Sequence, residues 1–115
     1  MYPKSLSRMY VRSSVYFEIE ITVDGDTPNI TTDTVSMTMK RRMEDSQEDA
    51  VLDIEADVTT KGIEGIAIFS ISPSEMTMRP GTYYYEIRWL TGEEDYPLRI
   101  GRIPVFDRVY SEVSE

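Results

Sequence analysis

The stretch Arg79-Pro-Gly-Thr-Tyr-Tyr-Tyr-Glu-Ile-Arg-Trp-Leu90 decides the fold. It opens on a Pro-Gly turn and then alternates. Tyr83, Tyr85, Ile87 and Trp89 share one parity; Tyr84, Glu86, Arg88 and Leu90 share the other. Successive side chains leave a pleated strand on opposite sides, so this period of two predicts a strand with one buried face. The first set carries three aromatics, including the only tryptophan of the chain. The pattern places this strand at the centre of the core, with Trp89 shielded from water.

Outward from that stretch, the same period recurs. Val15, Phe17, Ile19, Ile21 and Val23 alternate with Tyr16, Glu18, Glu20 and Thr22, which predicts a long strand with a wet face. Asp24-Gly-Asp-Thr-Pro28 is turn chemistry, Asp-Gly supplying positive φ. Thr34 to Lys40 alternates again, with Val35, Met37 and Met39 inward. Arg41 to Asp49 mixes both charge signs without a period and reads as a solvated loop. Leu52, Ile54 and Ala56 alternate with Asp53, Glu55 and Asp57, a strand whose outer face is acidic. Thr60-Lys-Gly62 is a turn signal.

Ile66 to Ile71 is a further strand of ambiguous parity. Either Ala67, Phe69 and Ile71 face inward or Ile66 and Ile68 do, and the larger Phe69 favours the first set. A helical turn is expected only near residues 73–78. There Ser72 can cap, Pro73 occupies the first helical position and Glu75 the third, with Met76 dropping into the core as a plug. Thr91 to Asp95 is a hairpin turn. Tyr96 to Ile100 and Arg102 to Phe106 form the last strand, with a bulge expected at Gly101. Pro104 cannot donate to a ladder, so this strand should lie at an edge there or pair on one side only.

About seven short strands with turns between them predict an all-β, two-sheet antiparallel β-sandwich with at most one short helical turn. At 115 residues the chain makes one domain with enough core to stand without metal or disulfide support. We expect an N-terminal arm over residues 1–13, the sandwich over 14–106 and a C-terminal tail over 107–115. Met9 to Arg12 is the part of the arm able to add a short strand.

Composition bounds the chemistry. The absence of cysteine removes disulfides, thiolate nucleophiles and cysteine-based zinc sites, and the absence of histidine removes the commonest general base and metal ligand. We therefore expect no enzyme, no catalytic or cofactor-binding residues and no cofactor. Residues 1–17 hold Lys4, Arg8 and Arg12 and no acid; the rest of the chain carries the acidic excess behind a net charge of −9. Such a body repels nucleic acid and anionic membranes, so neither is an expected partner. A basic arm beside an acidic body can dock on a neighbouring copy, at faces such as Asp53, Glu55 and Asp57, or serve as a solubilising start. The first residues lack the apolar run of a secretory signal, and the longest hydrophobic run, Ile66 to Phe69, is too short to span a bilayer. The expected location is the producer's cytosol, or a particle assembled there.

Several groupings are candidate sites. Asp24, Asp26 and Asp33 offer oxygen ligands for calcium but lack the twelve-residue loop with its terminal Glu. Glu44-Asp45 with Glu48-Asp49, and Glu93-Glu94-Asp95, read as solvated acidic turns. Choosing a carboxylate pair for glycoside hydrolysis among 21 acids has no specificity. Asn29-Ile-Thr31 fits the glycosylation pattern by chance. Tyr16 and Tyr84, on outward faces, are the better candidates for sugar contacts. Gly62 and Gly65 are not followed by the lysine or helix of a phosphate loop.

The ordered set of motifs resembles a known family. Phe17-Glu-Ile-Glu-Ile-Thr-Val-Asp-Gly25, Thr34 to Lys40, Ala67, Phe69 and Ile71, then Pro80-Gly81 with Tyr83, Tyr85 and Ile87, and Gly101-Arg-Ile-Pro-Val105 follow one after another. This order is similar to the immunoglobulin-like N-terminal domain of phage baseplate upper proteins and related small tailed-phage virion proteins. The resemblance covers residues 14–106 and departs at Pro104. It implies an immunoglobulin-like sandwich and a non-enzymatic virion component of baseplate, neck, tail or capsid, acting through contacts with other virion proteins and copies of itself. The alternatives are a carbohydrate-binding or adhesion sandwich and a bacterial cytosolic interaction domain.

Overall fold

The computed structural model describes residues 8–42, 44 and 50–107. The fold is all-β. Seven strands are present among those residues: β1 (Met9–Tyr10), β2 (Val15–Glu20), β3 (Thr34–Lys40), β4 (Leu52–Glu55), β5 (Ile66–Ile71), β6 (Gly81–Thr91) and β7 (Glu94–Phe106). They form a five-stranded sheet in the order β1-β7-β6-β3-β4 and a two-stranded sheet of β2 and β5. The strand of the opening stretch, β6, sits at the middle of the larger sheet.

The alternation places the apolar residues as its period requires. Val35, Met37 and Met39 of β3 and Ile87 of β6 are fully buried, with Tyr83 and Tyr85 beside them. Phe17 and Ile19 of β2 and Ala67, Phe69 and Ile71 of β5 meet them from the other sheet in one core. Phe69 therefore faces inward. Its ring stacks on Phe17 with centroids 4.9 Å apart and planes at 18°, a pairing worth about 0.5–1.5 kcal/mol beyond the area it buries. Ile68 is also buried, though outside that core. Its backbone exchanges hydrogen bonds with Asp57, at 2.7 and 3.0 Å. One residue earlier, Ala56 N–H donates to Val35 O on the larger sheet at 2.7 Å. The chain thus crosses between sheets at Ala56-Asp57 and ties their edges together.

The sandwich is not wholly antiparallel. β1 runs parallel to β7, Met9 opposite Val105 and Tyr10 opposite Phe106. Arg12, at φ 54°, then turns the chain toward the smaller sheet, and its N–H donates to Met76 O at 2.7 Å. Met9 and Val11 are buried in the core at 1% and 2% exposure, so the core begins ahead of residue 14. Arg12 pairs with Asp107 at 3.3 Å. Residues 1–7 of the arm and 108–115 of the tail lie outside the described residues.

Four further expectations are corrected. The bulge is not at Gly101: the β6–β7 register pairs Ile87 with Arg99 and Arg88 with Pro97, so Leu98 is the extra residue. Gly101 lies in regular pairing opposite Tyr85, where an added Cβ would stand 3.3 Å from the Tyr85 ring. The glycine makes room for the tyrosine. Val23 is 45% exposed rather than inward, because Asp24 and Gly25 at φ 53° and 87° close a tight hairpin in which Val23 pairs with Asp26. Among the described residues there are two 3-10 turns, not one: Pro73–Glu75, as expected, and Gly62–Glu64 in the segment read as a plain turn. In the expected one, the Glu75 carboxylate accepts the Ser72 N–H at 2.9 Å, and Met76 is fully buried. The fourth correction concerns Trp89.

Candidate functional site

Trp89 has the parity of Tyr83, Tyr85 and Ile87 but is only partly buried, packed against the rim of the core. The reason is a mismatch of strand lengths. β6 runs on to Thr91, whereas β2 stops at Glu20, so the smaller sheet does not extend over the end of the larger one. Trp89 instead lines an open cleft at that end of the sandwich, with a volume of about 620 Å³. Ile21, Val23 and Pro28 form one wall, and Tyr96 and Leu98 the other. Volumes of a few hundred Å³ are typical of pockets that take ligands or anchoring side chains.

Both rings are held. Tyr96 pairs directly with Trp89 across the hairpin, the centroids lying 5.4 Å apart at 36°. The indole Nε1–H donates to Asp33 Oδ2 at 2.9 Å, which fixes the ring about its side-chain torsions. Asp33 is fixed in turn, its N–H donating to Ile30 O at 2.9 Å, and fully buried Ile30 anchors the loop beneath. The Tyr96 hydroxyl donates to Glu94 Oε1. That hydrogen bond, and then the charge of the carboxylate, push the Tyr96 phenol above its ordinary pKa. The cleft is a pair of pre-oriented aromatic faces on apolar walls, with carboxylates behind the rings. It can stack on a flat or cationic group; it offers no nucleophile–base pair.

No family model matches the chain, and no curated protein matches it. Among solved structures it is similar to the N-terminal domain of phage TP901-1 ORF48, at 13% identity and a TM-score of 0.48, over 89% of this chain and 85% of that one. A likeness of that degree carries no functional argument.

The other groupings separate. Among the described residues no three acidic side chains come together to hold a metal ion. Asp33 serves the indole and Asp24 sits in the hairpin turn, while Asp45, Glu48 and Asp49 lie outside the described residues. Asn29 Oδ1 accepts from Thr31 N–H and Thr31 Oγ1 at 3.0 and 2.8 Å, a local turn that stiffens the cleft's loop. Tyr16 hydrogen-bonds Glu18 at 3.4 Å. Tyr84 lines a smaller depression on the outer face of the larger sheet with Lys40, Glu86 and Ile100.

On the acidic face, Asp57 turns inward to its own loop. Its carboxylate accepts from Thr59 N–H, Thr59 Oγ1 and Thr60 N–H at 2.8, 2.9 and 3.2 Å, and from Thr60 Oγ1 at 2.7 Å. These bonds, that of the Thr60 hydroxyl foremost, pull its pKa down to about 2. Lys61, beside it, reaches Glu18 at 3.1 Å, and that carboxylate raises the lysine pKa.

Tyr96 is the cleft residue that sequence reading left without a role. The signal was present: a two-residue loop at Gly92-Glu93 pairs Thr91 with Glu94 and therefore Trp89 with Tyr96.

Proposed function

We propose that this chain is a non-enzymatic structural component of a tailed-phage virion: an immunoglobulin-like domain of baseplate, neck, tail or capsid that works through contacts with other virion proteins and with copies of itself. The observation that carries the reading is that most of the apolar residues of the family resemblance are core residues of the two sheets. Phe17 and Ile19, Val35, Met37 and Met39, Ala67, Phe69 and Ile71, and Tyr83, Tyr85 and Ile87 are all buried.

Two features support the immunoglobulin-like subtype. The order β1-β7-β6-β3-β4 facing β2-β5 follows the extended sheet of variable-type domains opposite a reduced partner sheet. Tyr83, near the start of β6, donates its hydroxyl to Arg79 O at 2.6 Å, the corner that such domains build at the entry to this strand.

Weak contacts suffice for such a role, because many copies on a symmetric ring or shell add their affinities through avidity. The basic N-terminal segment is the proposed docking element, and the host cytoplasm the site of assembly. Mass spectrometry of density-gradient-purified particles from the source that carries this gene tests the reading. The chain is expected in fixed proportion to the major structural proteins. Its absence from intact particles refutes the proposal.

A further inference from the structure

We propose that the Trp89–Tyr96 cleft is the acceptor for residues 1–7 of a second copy of this chain, with Lys4 placed over the aromatic pair. The inference rests on the self-assembly reading above and locates its contact. The acidic β4 face offers carboxylates alone, whereas the cleft adds aromatic and apolar surface to its acidic border.

The cleft matches the segment in chemistry. Among its lining residues the one charged side chain is Asp33, and the turns bordering it carry Asp24, Asp26, Glu93, Glu94 and Asp95. The basic groups nearby are engaged or set aside: Arg88 stands 3.8 Å from Asp95, and Arg99 borders the adjoining depression beside Glu18 and Glu20. A lysine over the indole face gains cation–π attraction inside that acidic field. Tyr2, Pro3 and Leu6 flank Lys4 and suit the apolar walls at Val23, Pro28 and Leu98. Segments of this kind, an anchor with apolar neighbours, are what aromatic-lined grooves take.

Chain length keeps the molecule's own Lys4 from the aromatic pair. β1 is parallel to β7 and meets it with Met9 opposite Val105. From Val105 to Tyr96 that strand covers about 30 Å at its rise per residue. From Met9, a fully extended chain brings Lys4 only about 18 Å along. A Lys4 seated over the rings therefore comes from another copy. The contact joins different surfaces of the two molecules, so it builds rings or filaments, or closes a pair where two copies exchange segments reciprocally.

The test uses the full chain, with its single tryptophan as reporter. Trp89 emission and molar mass by sedimentation are followed together against protein concentration, for the wild type, Lys4→Glu and Tyr96→Ala. Tyr96 is 43% exposed, so its replacement leaves the core intact. Mass and emission are expected to change over the same concentration range in the wild type. Each variant alone should weaken association about tenfold or more, as loss of an anchoring side chain does. Mixed in equal amounts, the two variants should form a one-to-one pair, since one keeps the segment and the other the cleft. Association with unaltered Trp89 emission and no effect of either variant overturns the cleft as acceptor while leaving self-assembly standing. A monomer at every concentration overturns the inference, and the particle measurement then decides the broader reading separately. Saturable emission changes on adding oligosaccharides, with no dependence on chain concentration, would also overturn it.

Discussion

Gly101 gives the sharpest test of how the larger sheet is packed. Regular pairing places it opposite Tyr85, and a Cβ built on it would stand 3.3 Å from Cε1 and 3.5 Å from Cζ and Oη of that ring. Carbon atoms prefer about 3.5–4.0 Å, so Gly101→Ala forces the buried Tyr85 ring to shift by a few tenths of an ångström. An off-rotamer side chain costs about 0.5–1.5 kcal/mol. The alanine returns about 0.4–1 kcal/mol by narrowing the unfolded ensemble, so the net loss should be about 1 kcal/mol or less. Gly101→Val adds two methyl groups against the same ring and should cost about 1–3 kcal/mol, the range for overpacking. In a Tyr85→Leu background the three contacting atoms are gone. There Gly101→Ala should become neutral or stabilising, and Gly101→Val should lose most of its cost. The resulting coupling, about 1–2 kcal/mol, lies within the range for residues in contact. Urea unfolding followed by Trp89 emission supplies each value, with a constant m confirming a shared unfolding transition. If Gly101→Val is equally damaging with Tyr85 or Leu at position 85, the glycine is required by the backbone and the packing argument fails.

Two further outcomes follow from the same geometry. Met9→Ala, at a position 1% exposed, should cost about 2–5 kcal/mol in the same urea experiment, as buried methionine truncations do; a loss near zero would detach β1 from the core. Asp57, whose pKa is drawn from 3.8 down to about 2, should titrate near pH 2 in a carbon-detected NMR experiment and move back toward 3.8 in Thr60→Val. Its folded pKa is depressed, so its contribution to stability is present above about pH 3.8 and disappears as pH falls through about 2; a wild-type midpoint at 3.8 contradicts the assigned hydrogen bonds.

Much of the fold was legible because alternation reports which face of a strand is covered. β3 and β5 have the bounds their patterns implied, and Ala67, Phe69 and Ile71 take the inward parity that side-chain size favoured. Parity says nothing about how far along a strand the cover extends. Val23 and Trp89 have the inward parity of their strands, yet Val23 has already entered the Asp24-Gly25 hairpin and Trp89 lies past the end of β2, where the smaller sheet has stopped. The bulge was hidden for a related reason. An extra residue such as Leu98 is defined by the partner's register, and a glycine is an ambiguous marker because it also answers to a close neighbour, as Gly101 does to Tyr85. The parallel β1 has only two residues, too few for any period to show.

The same limit explains where the cleft lies and why its chemistry was hard to see. A tryptophan read as core attracts no functional attention, and a tyrosine next to a hairpin turn looks like one more exposed aromatic. The β6–β7 register pairs them, and their surface stays open because β2 ends at Glu20 and the chain then turns back at the Asp24-Gly25 hairpin. The turn is as strongly encoded as any strand in the chain, since it demands two successive positive φ angles and supplies Asp-Gly to meet them. Cleft depth is therefore set by turn chemistry rather than by the aromatic pattern. A reading that counts inward residues will place Trp89 in the core; one that also asks where each covering strand must stop finds it at the edge, beside Tyr96, with Asp33 holding it in place.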